Sequence, residues 1–478
     1  MGNYKRLLSN TAILGAGTFL SKVLVLLLMP FYTRILSTAE FGTADLIAQT
    51  ANLLIPLAAV GICDGIFRFT LDTSADSEED RRRILSTGLV ILVAGSLAVG
   101  VLLPLLGFFS VLRDSVWLIG LYVLCANFHA AFANYVRALG KTVLFAAQGI
   151  LNTCLTIGLN VLFLVGFDMS STGYVLSVVV ADFTVTVVLF FAAKLWRDLS
   201  FRLVRVETAK AMLKFSIPYI PTTVMWLITS VSDRYVVTMY CGEAENGLYA
   251  AAYKLPTLLS LVSGVFVEAW HFSTVKDATD EEKNEFFGTV YLNFMSVMCM
   301  GASVLIAGAK IFTKILLADS YYSSWEFVPI LVVATTFSTL VSFLGSVYFL
   351  KKKSTLSMLT AMAGAIINVI LNFVMIPDHG AMGAAVATLI SYLAVYVIRA
   401  YDTANYLRFS HHSIRLMVNA AVLLLQALVM IEAVRYWQLL QLACLGFLLI
   451  FNGKGILSTV IRLLERFLRK KAKKSEKN

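Results

Sequence analysis

Stretches of apolar residues recur along the chain with short polar connections between them, a rhythm that predicts helices crossing a bilayer. Twelve lie at 9–33, 42–67, 84–109, 115–138, 143–166, 172–195, 215–240, 246–271, 286–309, 324–349, 355–377 and 381–406, and a last pair at 414–434 and 437–453. Most run to about 20 to 25 residues, enough at about 1.5 Å per residue to cross a hydrocarbon core of roughly 30 Å. The fold class expected is an all-α integral membrane protein of about fourteen transmembrane helices. Beyond the last stretch the pattern changes. Leu457, Val460, Ile461, Leu464, Phe467 and Leu468 repeat at helical spacing, Arg462, Arg466 and Arg469 share the other side, and Lys470, Lys471, Lys473 and Lys474 follow. This is the pattern of an amphipathic helix lying in the interface, drawn to an anionic inner leaflet by its lysines.

Orientation follows from the basic residues, because cytoplasmic connections carry the excess of Lys and Arg. With the N-terminus inside, Arg34, Arg113, Lys310, Lys314 and Arg435 fall on the outer side and Lys22, Arg234 and Lys254 within the spans. The other 31 of the 39 basic residues fall on the inner side. An even number of spans returns the C-terminus to the cytoplasm. The longest connections, 69–83, 196–214 and 273–285, all lie on the inner side, and none is large enough for a catalytic domain.

Composition agrees with this reading. Of 478 residues 59% are apolar and only 14% charged, against roughly 25% charged in soluble proteins, and the mean hydropathy is +0.80. The first stretch follows Lys5 and Arg6 as a secretory signal would. It is too long for one, holds Lys22 and lacks a small-residue cleavage pattern, so it is expected to be the first spanning helix. Cys63, Cys125, Cys154, Cys241, Cys299 and Cys444 stand singly, with no Cys-x-x-Cys spacing, and read as small packing residues.

The pattern also repeats. Phe41, Gly42 and Thr43 align with Asn246, Gly247 and Leu248 at an offset of 205. Lys141 and Asn160 align with Lys353 and Asn372, and after a two-residue gap Asp168 and Gly173 align with Asp378 and Gly383. Polar and glycine anchors carry the match, since apolar residues align easily by chance. Two lobes of six spans share one orientation and are related by an axis along the membrane normal, as in carriers that rock two halves about a central site. The expected division is a first lobe at 1–197, a cytoplasmic amphipathic linker at 198–214, a second lobe at 215–409, spans thirteen and fourteen at 410–454, and the basic tail at 455–478. All eight prolines lie in or at the ends of spans, where helices are interrupted.

Ionisable residues within the spans stand out, since each costs at least about 2.5 to 3.5 kcal/mol at the bilayer centre. Lys22 lies midway along the first span. Asp233 and Arg234 lie in the seventh and Lys254 in the eighth, roughly 9 and 12 Å deep by helical rise, so they can share one layer. Three cations against one carboxylate predict a wet cavity of positive potential that favours an anion, phosphate groups above all. Asp64 and Arg68 are four apart near the inner end of the second span and share a helix face, as an ion pair or an inner gate. Glu268 and His271 occupy the corresponding end of the eighth, and Asp182 adds a carboxylate in the sixth.

Other chemistries lack their motifs. There is no Gly-x-x-x-x-Gly-Lys-Ser/Thr phosphate loop. The five histidines lack ligand spacing, so no metal site is expected, and neither a cofactor nor a nucleic-acid partner is indicated. Glu78, Glu79 and Asp80 run into Arg81, Arg82 and Arg83, which reads as a solvated charge run in a loop.

Several segments carry a resemblance. Ser9-Asn10-Thr11-Ala12-Ile13-Leu14-Gly15, Ser21-Lys22 and Pro30-Phe31-Tyr32-Thr33-Arg34-Ile35-Leu36 resemble the first helix of the polysaccharide flippases. So do Phe41-Gly42, Ser232-Asp233-Arg234-Tyr235, Asn246-Gly247-Leu248-Tyr249, and the run from Leu371-Asn372 through Ile376-Pro377 to Gly383-Ala384-Ala385 and Ala387-Thr388. These belong to the multidrug/oligosaccharidyl-lipid/polysaccharide (MOP) exporter superfamily, and the similarity extends over essentially the whole chain. It implies a bacterial inner-membrane transporter, not an enzyme. Such a protein turns an undecaprenyl-pyrophosphate-linked oligosaccharide from the inner to the outer leaflet for surface polysaccharide assembly. By the same resemblance Lys22, Arg234 and Lys254 would meet the pyrophosphate, with Asp233 orienting Arg234 and with Asp64, Arg68 and Glu268 supporting or gating. The partners implied are the lipid-linked oligosaccharide, membrane lipids, and a polysaccharide polymerase and glycosyltransferases. Two alternatives stay open: a cation-coupled multidrug exporter of the same superfamily, using Asp64, Asp182 and Glu268, and a lipid II flippase.

Overall fold

The computed structural model describes Leu24 and residues 26–72, 77–272, 280–351, 353–432 and 434–453. Lys22, the side chains of Glu268 and His271, and the tail from 455 lie outside the described residues. Among those described, all regular structure is helical. The helices include α1 (Met29–Ile35), α2 (Thr38–Ala59), α3 (Ile62–Asp72), α4 (Glu78–Leu102), α5 (Val116–Ala138), α6 (Thr142–Asn160), α7 (Ser170–Ala192), α8 (Val206–Ser216) and α9 (Ile220–Cys241). They continue with α10 (Glu243–Ala252), α11 (Thr257–Phe272), α12 (Asp280–Ala307), α13 (Val328–Leu350), α14 (Ser354–Thr403), α15 (Ser413–Ile431) and α16 (Trp437–Gly453).

Local chemistry sets many of these boundaries. Pro30 opens α1, where its missing N–H costs nothing. Ser37 and Glu40 form a capping box at the start of α2, the Ser37 hydroxyl accepting from the Glu40 N–H and the Glu40 carboxylate from the Ser37 N–H. The charge run at 78–83 is helical. Ser77 caps α4, and Glu78, Glu79 and Asp80 fill its first turn, where acidic side chains complement the helix dipole.

Among the described residues eight helices are long and apolar enough to cross a membrane, and up to eleven spans result if each of three bent pairs is one. The bent pairs are α2 with α3 (49°), α8 with α9 (44°) and α10 with α11 (48°). The first expected span lies mostly outside the described residues, and α16 is apolar but short. Two expected spans, the eleventh and twelfth, run together in the 50-residue α14. A straight helix of that length would reach about 75 Å, more than twice a hydrocarbon core. It breaks at Gly380, whose φ of 57° and ψ of −146° suit glycine alone.

The described residues pack as two units, one drawn from 1–250, 316–321 and 361–381, the other from 251–315, 322–360 and 382–478. In the first, Ile62, Ile66, Leu85, Leu92, Tyr135 and Leu189 fill one core cluster and Leu46, Ile47, Leu118 and Val175 another. The far side of α4 leaves Val93, Leu97 and Val101 exposed, an apolar face suited to lipid. In the second unit α13 is apolar all round and buried nearly all round, enclosed by α11, α12 and α15. Arg399, counted from the sequence among the inner-side charges, is 2% exposed there. It donates to Thr360 Oγ1 at 3.0 Å, to the Val341 carbonyl at 2.9 Å and to the Ser357 carbonyl at 3.2 Å. The hairpin of α15 and α16 is closed by buried amides. Gln426 pairs with Gln441, Asn419 with Asn452, and Ser303 of α12 donates to Gln426 Oε1 at 2.8 Å.

Candidate functional site

Four consecutive residues of α9 point to different neighbours, as the helical turn of about 100° per residue requires. Ser232 donates to Asn368 Oδ1 at 2.6 Å and accepts from Asn372 Nδ2 at 3.2 Å, both on α14. Asp233 accepts from the Tyr249 hydroxyl of α10 at 2.8 Å. Arg234 Nε lies 2.9 Å from Asp45 Oδ2 of α2, and its guanidinium lies over the Tyr249 ring at 4.7 Å. The Nε–H is not aligned on that oxygen, so the contact is ionic rather than a directed hydrogen bond. The Tyr235 hydroxyl meets Thr50 Oγ1 at 2.6 Å. Asp233, Arg234 and Asp45 are 0%, 4% and 7% exposed.

This cluster stands beside a very close helix crossing. A Cβ added at Gly42 would lie 2.0 Å from the Glu243 carbonyl oxygen, and one at Gly247 would lie 1.8 Å from that of Thr38. No side chain fits at either position, so α2 and α10 meet backbone to backbone. Asn246 Nδ2 donates across the contact to the Gly42 carbonyl at 2.9 Å. The contact is reciprocal under the sequence offset of 205, which carries Thr38 to Glu243 and Gly42 to Gly247. Aromatic groups pack on the same end of α2. Tyr174 meets Tyr32 and Phe41 edge-on, and the Tyr321 hydroxyl donates to the carbonyls of Leu36 and Ser37.

The sequence singled out Asp233 and Arg234, and the structure sets them in this cluster. It did not single out Asp45, which is the carboxylate in ion-pair contact with Arg234. Asp45 lies near the start of a span, where a charge is unremarkable, and 189 positions separate the partners. The described part of the cluster therefore holds two carboxylates to one guanidinium. Lys254 falls in the break between α10 and α11 rather than on a continuous helix, and is half-buried. The expected pair of Asp64 with Arg68 does not form. Arg68 turns one helical turn the other way to Asp72, 3.1 Å away, and both side chains are more than half exposed.

A second buried polar group lies between α5, α6 and α7. Asp182 Oδ1 is 2.9 Å from His129 Nδ1 and accepts from Asn152 Nδ2 at 2.9 Å, while His129 Nε2 lies 2.6 Å from Gln148 Oε1. Among the described residues no group of three metal-ligating side chains converges.

The sequence profile of a family described as polysaccharide biosynthesis protein matches residues 7–271, more than half of the chain. The chain belongs to that family. Its profile spans Asp45, Asp233, Arg234, Tyr249 and Lys254 alike. Comparison with curated protein sequences found no match. Among solved structures, this polysaccharide biosynthesis protein is similar to the lipid II flippase MurJ in an inward closed conformation, at a TM-score of 0.71 and 13% identity over 94% of this chain and 100% of that one. It is also similar to a multidrug resistance MATE transporter of the MOP superfamily facing inward, at 0.62 and 13% over 84% and 96%. A third is a MOP superfamily transporter from Pyrococcus furiosus, at 0.54 and 12% over 84% and 95%. At such identities the likeness is one of fold. The polysaccharide biosynthesis protein is thus a multi-pass membrane protein with the fold of the MOP transporters.

Proposed function

We propose that this chain flips an undecaprenyl-pyrophosphate-linked oligosaccharide from the inner to the outer leaflet of the bacterial inner membrane by alternating access. The membership in a polysaccharide biosynthesis family and the transporter fold set the class. The observation that carries the mechanism is the buried Arg234, clamped between Asp45 and the Tyr249 ring. An arginine fork binds phosphate oxygens as well as it binds a carboxylate, so an arriving pyrophosphate can replace Asp45 as its anion. Lys22 and Lys254 would add charge for the second phosphate. Asp233 would hold Tyr249 against the guanidinium during the exchange, and Asp64, Arg68 and Glu268 would shape the inner mouth. The two lobes, 1–197 and 215–409, would rock about the site with both termini in the cytoplasm, while 410–454 and the basic tail dock against membrane lipids. A polymerase and glycosyltransferases would act before and after the flip, and the chain itself makes and breaks no bond.

Flipping of a fluorescent undecaprenyl-pyrophosphate oligosaccharide in proteoliposomes tests this. Changing Lys22, Arg234 and Lys254 together to glutamine should abolish transport at equal protein incorporation, and undiminished transport would remove the electrostatic basis. Lipid II offered as the cargo separates a lipid II flippase from the broader reading. The Asp182–His129 contact favours a second reading, cation-coupled drug export. Proton-driven efflux of a cationic dye, lost in Asp182→Asn, would establish it.

A further inference from the structure

The segment between α14 and α15 reads Ser410-His411-His412-Ser413-Ile414-Arg415, and it surrounds an open pocket. The pocket has a volume of about 560 Å³, within the range for small ligands, and its walls include Ser410, His411, His412, Ser413, Arg415 and Phe451. Three basic residues and two hydroxyl-bearing ones therefore line one space, and no described lining residue is a carboxylate. Their positions are built rather than loose. His411 stacks on Phe409 at 4.4 Å and meets Tyr291 edge-on. His412 holds a left-handed φ of 45°, uncommon for a residue with a side chain, and its backbone N–H donates to Ser410 Oγ at 3.3 Å. Arg415 lies over the Phe451 ring at 4.8 Å and donates to the Phe451 carbonyl.

Capacity is left over. His411 Nε2 and Arg415 Nε are buried without a hydrogen-bond partner. Buried polar atoms are nearly always partnered, so a ligand that draws the ring or the guanidinium toward the pocket could satisfy these two. Arg415 is the standing charge and disfavours protonation of the imidazoles beside it, and an anion among them would offset that while accepting from the arginine and the serines. The segment connects two membrane-spanning helices, so it lies at a bilayer surface, within reach of headgroups.

We propose that this pocket is a phosphate-binding site, distinct from the Arg234 cluster, that takes either the headgroup of an anionic phospholipid or a free phosphate. The full chain, purified in detergent, decides between the sources. Native mass spectrometry after exposure to phosphatidylglycerol and phosphatidylcholine, and thermal unfolding with and without inorganic phosphate, give the two readouts. Preferential retention of phosphatidylglycerol identifies the lipid source, and a phosphate-dependent rise in Tm with no lipid preference identifies the free ion. In either case His411→Asn and Arg415→Gln should weaken binding about tenfold or more, as loss of one charge-assisted bond does. His411→Asn leaves the Arg415 contact with Phe451 in place, so it remains informative if Arg415→Gln does not fold. No response to either probe, or binding unchanged in His411→Asn, overturns the proposal.

Discussion

A buried ion pair is costly to break from one side only. With side chains 4% and 7% exposed, Arg234 and Asp45 have little water to fall back on. Asp45→Asn should destabilise the folded chain by about 3–5 kcal/mol, and Asp45→Asn with Arg234→Gln by less than the sum of the single changes. Thermal unfolding of the four proteins in detergent measures this, and strict additivity would show that the two side chains do not interact. In the connection between α14 and α15, burial pushes His411 and His412 below their ordinary range, the neighbouring charges of His412 and Arg415 adding to it. The unfolded chain then binds protons that the folded chain refuses. Stability linked to these groups is present above their unfolded pKa of 6.5 and lost as pH falls below it. A chain with His411→Asn and His412→Asn should therefore lose less Tm than the native chain between about pH 7.5 and 5.5. Single residues were legible where a charge interrupted an apolar run, which is how Asp233 and Arg234 were found. Partners were not, because Asp45, His129 and Arg399 each lie where the local pattern gives an ordinary reason for them.

Helices were the most legible level, since a long apolar run has few ways to satisfy its backbone in lipid except by coiling. Their breaks were partly legible. Pro218 and Pro256 sit in two of the breaks and Pro56 four residues before a third. The capped first turn of α4 was read as a loop because a run of charges looks the same in both until the Ser77 cap is considered. The crossing of α2 and α10 makes the sharpest prediction at this scale. Gly247→Ala must push the two backbones apart and should cost at least the roughly 1–3 kcal/mol of an overpacked contact. Gly149→Ala, on α6 with nothing within 4 Å of the added methyl, should instead stabilise by about 0.5–1 kcal/mol. Equal melting temperatures for the two variants would mean that the close approach is not rigid.

Across the whole molecule, the uneven distribution of lysine and arginine predicts which connections face the cytoplasm. A single cysteine in place of Glu207, with the natural cysteines removed, should react with an impermeant maleimide only after the cell is opened. One in place of Asp114 should react from outside, and the reverse pattern would invert the topology. Helix content and membrane residence were legible because both follow from hydropathy alone. The packing of 361–381 with the first unit was not, since nothing local marks half of a continuous helix as belonging with a distant part of the chain. The reciprocal contact of Thr38 and Gly42 with Glu243 and Gly247 has the symmetry of a twofold interface within one chain. Only a self-complementary patch presents the same two positions from both sides, as the two halves of a homodimer do. A side chain at either glycine would meet the backbone of the opposite helix, so the two positions share one constraint.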